Sequence, residues 1–171
     1  MKFRIVGAAL AILLSVSATA LAQPQRETLA SDVSRSVTTY SRYTVFDDVR
    51  AHIEGSTVTL SGKVTLPMKK DDLGKRMAAV PGVTAVRNDI EVLPPLRSDD
   101  ELRHRVARAI YSHAAFWRYA AMSTPPIRIL VEHGRVTLTG IVANESDRML
   151  ARSLATGLGE TSLACELRAE R

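Results

Sequence analysis

The chain has 171 residues, 46% of them hydrophobic and 24% charged, and its 23 Lys and Arg against 18 Asp and Glu give a net charge of +5. That apolar content excludes wholesale disorder, and a single cysteine excludes both a disulfide framework and a cysteine-cluster metal site. Aromatic residues make up 5% of the chain, too few to line a cofactor chamber, and past the N-terminus no apolar run is long enough to span a bilayer.

The first segment reads as an address. Lys2 and Arg4 precede an apolar run over residues 5–16 broken only by Ser15, and Ala20-Leu21-Ala22 sets small residues where a signal peptidase reads. This is the three-part pattern of a secretory signal peptide over 1–22, with cleavage expected after Ala22. The run is too short for a membrane anchor, and no cysteine follows it to carry a lipid anchor. Loss of Lys2 and Arg4 lowers the charge from +5 to +3. Export to the periplasm argues against nucleic acid and nucleotide cofactors as partners. In an oxidising compartment Cys165 has no second cysteine in its own chain to pair with.

The predicted elements then run helix, hairpin, helix, strand. Val33, Val37 and Tyr40 mark one side of a first helix. Val49, Ala51 and Ile53 alternate, a turn follows at Gly55-Ser56, and Val58, Leu60, Gly62 and Val64 alternate after it. Leu73, Met77 and Val80 mark a second helix that Gly82 should stop, and a strand follows over 86–92. Two prolines, Pro94 and Pro95, make a seam. Beyond it Ser98, Asp99, Asp100 and Glu101 read as an N-cap region, and Leu102, Val106, Ile110, His113 and Trp117 fall on one helical face. Ile127, Ile129 and Val131 alternate up to the turn at His133-Gly134, and Val136, Leu138, Gly140 and Val142 form the return strand. Leu150, Leu154 and Leu158 mark the last helix, Gly159 its stop, and 163–169 the last strand.

The two halves are copies. Val58 to Val64 and Val136 to Val142 match at five of seven positions with a constant offset of 78. The expected fold is therefore α+β: two tandem small α-β-β-α-β two-layer sandwiches, over 23–95 and 96–171. A unit this small buries a modest core alone, so the two should pack together.

This architecture, with its second-strand pattern Val58-x-Leu60-x-Gly62-x-Val64 followed by Pro81-Gly82-Val83-x-x-Val86-x-Asn88-x-Ile90, resembles the BON domain family. The second copy matches through Gly134, Val136, Leu138, Gly140 and Val142, then departs. Leu158-Gly159-Glu160 replaces the Pro-Gly-Val step, Cys165 stands where the first copy has Asn88, and about five extra residues occupy 121–126. A leader followed by two such domains is similar to the osmotically inducible and outer-membrane-associated periplasmic proteins of Gram-negative bacteria. The resemblance implies a phospholipid-binding or envelope-stress role. Its motif residues are structural: Gly55 and Gly134 serve turns, while Gly62 and Gly140 sit inside strands, where glycine needs a bulge or a close approach to justify it.

The residues offer no reaction centre. His52, His104, His113 and His133 make no ligand pair, and no metal or cofactor is expected. His113 reads as a core histidine and His133 as solvated. Asp71-Asp72 and Asp99-Asp100 read as helix starts, and Cys165, in phase with Leu163 and Leu167, as an inert core thiol. Lys69, Lys70, Lys75 and Arg76 read as an ordinary charged helix surface. The candidate site is a face of the second copy's first helix. Arg108 and Arg118 would bind phosphate, with Tyr111, Phe116 and Tyr119 at the lipid boundary. The expected function is a non-enzymatic periplasmic protein that binds anionic phospholipid and supports the envelope under stress. The alternative is a chaperone-like or scaffold protein that binds other envelope proteins.

Overall fold

The structure is a computed structural model that describes residues 23–170; the leader expected over 1–22 and its expected cleavage site lie outside the described residues. Val33 and Val37, four residues apart, share the buried side of α1 (Gln23–Thr38), and Tyr40 extends it past the helix end. Alternation then gives β1 (Asp48–Glu54) and β2 (Thr57–Val64). Pro67, whose ring presets the backbone for a first helical turn, opens α2 (Pro67–Ala78), which buries Leu73 and Met77. β3 (Ala85–Val92) closes the unit.

The second unit repeats the order with one insertion. Leu102, Val106 and Ile110 form the buried stripe of α3 (Arg97–Tyr111). A 3-10 turn (Ala114–Phe116) and the short α4 (Trp117–Ala120) follow. Then come β4 (Arg128–Glu132), β5 (Arg135–Val142), α5 (Glu145–Ala155) and β6 (Ser162–Ala169). In each sheet the middle strand is antiparallel to its hairpin partner and parallel to the last strand. Helices cover one face of each, so the α+β two-layer sandwich occurs twice. The cores are separate. The second is the larger, because Phe116, Tyr119, Ile127, Ile129 and Val131 add to it, whereas Val49 and Ile53 of β1 are only partly buried.

The strand glycines answer a close approach. Gly62 has φ +116° and Gly140 φ +120°, and a Cβ on them would stand 2.1 Å from the Asp48 carbonyl oxygen and 2.0 Å from that of Pro126.

Four sequence expectations need correction. The acidic pair at the start of α3 does not cap it: Leu96 is the N-cap residue, and buried Asp99 accepts hydrogen bonds from the His133 and Gly134 amides at 2.7 and 2.8 Å, so it clamps the β4–β5 turn. Asp71 and Asp72 lie within α2, four and five residues past Pro67, and Asp72 accepts from the Tyr40 hydroxyl. His113 and Trp117 are exposed rather than core, because α3 stops at Tyr111 and the 3-10 turn rotates the chain. His113 accepts from the Ala115 amide at 3.2 Å instead. Lys69 belongs to no charged surface; it is buried.

Lys69 is buried because Asp47 is. The Asp47 carboxylate, 0% exposed, accepts hydrogen bonds from the amides and hydroxyls of Thr44 and Thr65 and from the Lys69 ammonium at 2.6 Å. This fixes the segment between α1 and β1, which reaches into the second unit. The Val45 carbonyl accepts from the Ile129 amide at 2.8 Å, occupying part of the open edge of β4. Phe46 packs against the second core, its ring centre 5.1 Å from that of His104 in an edge-to-face arrangement. The Arg128 guanidinium lies 4.7 Å over the Tyr43 ring. On the outer sheet faces Lys63 donates to Glu132 at 2.5 Å and Thr139 to Asp48 at 3.0 Å.

Removing one partner of a buried pair leaves an uncompensated charge, so Asp47→Ala should lower unfolding free energy in urea by about 3–5 kcal/mol. The Ile129 amide, in the other unit, should also lose hydrogen-exchange protection; retained protection there would show that Asp47 does not couple the two. Gly140→Ala should cost about 2–5 kcal/mol, from backbone strain plus the carbonyl clash. Gly55→Ala, with open space around it, should cost about 1–2 kcal/mol.

Candidate functional site

The five residues expected on one lipid-facing surface do not share a surface. Arg108 is exposed in the last turn of α3. Tyr111 is partly buried, and its hydroxyl donates to the Ile127 carbonyl at 2.6 Å, which ties the end of α3 to the entry of β4. Phe116 is wholly buried in the second core, 5.7 Å from the Tyr119 ring. Tyr119 is buried too. Its hydroxyl donates to Asp147 at 2.6 Å and accepts from the Ala143 amide at 2.8 Å. Arg118 lies over the Tyr119 ring at 4.8 Å and pairs with Asp147. Phe116, Arg118 and Tyr119 therefore anchor the inserted segment to α5. The physical cause is again the end of α3 at Tyr111: residues beyond it leave the 100° per residue progression on which an outward face was counted.

The same break brings out a residue that the helical count had placed in the core. Trp117 is 71% exposed, between two buried aromatic neighbours. Met122, just after α4, and Met149, on the α5 helix that Asp147 joins to this segment, are also large exposed hydrophobics. Ser112-His113 was the available signal, since both are weaker helix formers than the residues before them. The exposed end of the second unit thus presents Trp117 and Met122 with the Arg118 guanidinium and the free Arg108 nearby in the chain.

Both units also line a polar cleft of about 340 Å³ between the outer sheet faces. Within it Lys63 pairs with Glu132, and Arg50 with Asp48 at 3.2 Å. The Glu132 hydrogen bond holds the Lys63 ammonium above the usual lysine range. Among the described residues no group of three His, Cys, Asp or Glu side chains could hold a metal ion. No described helix is long and apolar enough to cross a membrane. Cys165 is partly buried against the second core, beside Arg148.

A family profile described as BON domain matches residues 26–94 and again 98–160. No curated protein matches the chain. Among solved structures, it is similar to CdsD, a structural protein of the type III secretion system of Chlamydia trachomatis. The identity is 13% and the TM-score 0.31, over 84% of this chain and 92% of that one. A second structure, of the C-terminal domain of the same protein, matches at 12% identity and TM-score 0.30, over 84% of this chain and 98% of that one.

All four tyrosines, Tyr40, Tyr43, Tyr111 and Tyr119, are held above the ordinary phenol range, in each case chiefly by burial. For Tyr40, burial and the hydrogen bond to Asp72 push the value to about 12. Each phenol holds its proton more tightly folded than unfolded. That contribution to stability is complete below the ordinary tyrosine range and is lost as pH rises through the folded values. Tyrosinate absorbance should therefore stay low at about pH 10 and appear together with alkaline unfolding. Ordinary titration of one or more tyrosines in the folded protein would contradict this packing.

Proposed function

The chain belongs to the BON domain family, and on that premise we propose that it associates with anionic phospholipid surfaces through the exposed end of its second unit. The family is one of non-catalytic binding domains. The proposal includes export by the 1–22 leader, residence in the periplasm, division of the chain at 95/96, and support of the envelope under stress.

The observation that carries it is Trp117. An indole exposed on 71% of its surface is poorly placed in water and well placed at a membrane boundary, where its ring is apolar and its N–H stays wet. Arg108 is exposed and forms no ion pair among the described residues, so it is available to a phosphate. Arg118 is already engaged by Asp147 and acts by holding the segment that presents Trp117. Phe116 and Tyr119 support that segment from inside.

A specific observation favours a second reading, a chaperone-like protein that binds exposed segments of other envelope proteins. The edge strand β1 borders a mainly apolar groove of about 450 Å³ lined by Val33, Val37, Ala51, Ile53 and Ile141. An unpaired strand edge beside apolar pockets suits an extended peptide. This reading expects suppression of aggregation of an unfolded client with no lipid present.

Trp117 is the single tryptophan, so intrinsic fluorescence reports its surroundings directly. Anionic vesicles should shift its emission to the blue, zwitterionic vesicles should not, and added salt should reverse the shift. Trp117→Ala should weaken vesicle flotation by about 2 kcal/mol, on the order of thirtyfold, and Arg108→Glu by a similar amount. Unchanged emission and no flotation would remove the lipid reading.

A further inference from the structure

A further pocket lies on the seam between the two units, and Trp117 is not among its lining residues. It has a volume of about 460 Å³ and is lined from the first unit by Phe46, Leu66 and Lys69, from the linker by Leu96, and from α3 by Arg97, Asp100, Arg103 and His104. Leu66 and Leu96 are large apolar side chains left exposed at its edge. The size is that of a small-molecule site, and the lining combines apolar surface with a few convergent polar groups.

The charges of this lining are lopsided. Lys69 is answered by Asp47 behind it. Arg97 meets only Glu101, through a pair whose side chains are 93% and 57% exposed, and such a pair holds little and exchanges readily with another anion. Arg103 is 3% exposed. It donates to Asp100 at 3.1 Å and to the Val131 carbonyl at 2.9 Å, but its buried Nε has no partner. Asp100 is itself 63% exposed, so water shares its charge. A cation buried this deeply is costly unless an anion compensates it, and here the compensation is incomplete: the carboxylate it meets is mostly in water and the Nε hydrogen has no acceptor.

We infer that the seam pocket binds a single-chain anionic amphiphile, with its head on the Arg97–Arg103–His104 side and its tail along Phe46, Leu66 and Leu96. The apolar walls suit an alkyl chain, and a lining that sets Lys69, Arg97, Arg103 and His104 against Asp100 alone suits an anion; neither a neutral detergent nor a short free anion meets both. Because both units contribute walls, an occupant bridges them and should make them unfold together. The inference is separate from the Trp117 surface, and each stands if the other fails.

The test titrates the protein with decanoate, decyl phosphate and a neutral decyl maltoside, all below their micelle concentrations, and follows backbone amide resonances. Both anions should produce saturable shifts at Phe46, Leu66, Arg97 and His104 and raise the unfolding temperature; the maltoside should do neither. If decyl phosphate alone binds, the occupant is a phosphoryl lipid; if decanoate binds equally, it is any anionic single chain. Arg103 is packed inside, so the rim carries the mutations. Leu66→Glu and Arg97→Glu, both at exposed positions, should fold normally and weaken binding at least fivefold each, while Trp117→Ala should leave this titration unchanged. Equal shifts with the maltoside, unsaturable shifts, or rim variants that bind as the parent does would each overturn the site.

Discussion

Asp47 is the group on which the arrangement depends. A carboxylate in the protein interior is tolerated only when its lone pairs are filled, and Asp47 fills its own with two amides, two hydroxyls and the Lys69 ammonium. Its partners come from before β1, from after β2 and from α2, so one side chain closes the end of the first sandwich. The segment it holds also carries the contacts to the second unit: the Val45 carbonyl on the edge of β4, Phe46 on the second core, and Tyr43 under Arg128. The two copies are thus joined by an interior loop of the first as well as by the linker between them. The seam pocket owes one wall, Phe46, to that loop.

The second unit solves the same problem with the signs reversed. Asp147 stands 78 residues after Lys69, at the matching place in the matching helix. There a buried acid is met by the Tyr119 hydroxyl and the Arg118 guanidinium, while its own backbone amide donates to the Asn144 side-chain oxygen that caps the helix. The first copy buries a lysine on an aspartate from the preceding loop; the second buries an aspartate against an arginine and a tyrosine from an inserted turn. The copies share a backbone plan but not an electrostatic one, so their helices are not interchangeable. That difference also decides what the second copy can display. Recruiting Phe116 and Tyr119 inward, with Arg118 tied to Asp147, leaves Trp117 facing out.

Much of the fold could be read directly from the residues. The period of 78, the hairpin alternations and the helical stripes of Leu73-Met77 and Leu102-Val106-Ile110 are local patterns, and local patterns survive folding because each element must bury its own apolar side. The strand glycines could be picked out for the same reason. The candidate surface was less legible. Arg108 is where a helical count puts it, but the count was carried through Ser112-His113, and the large aromatic residues beyond that point are not where it put them. His113 and Trp117 left the core; Phe116 and Tyr119 entered it.

Composition and repetition by themselves determined an α+β chain of two copies with a charged, glycine-punctuated surface, because period and hydrophobicity are properties of neighbours along the chain. Only the tertiary structure decided which charges go inside. Whether Lys69 faces water or Asp47, whether Asp99 caps its own helix or clamps a turn 34 residues away, and whether Arg103 is compensated all depend on groups brought together from distant positions. Burial of an ion is favourable or ruinous according to those partners, and sequence spacing carries no record of them.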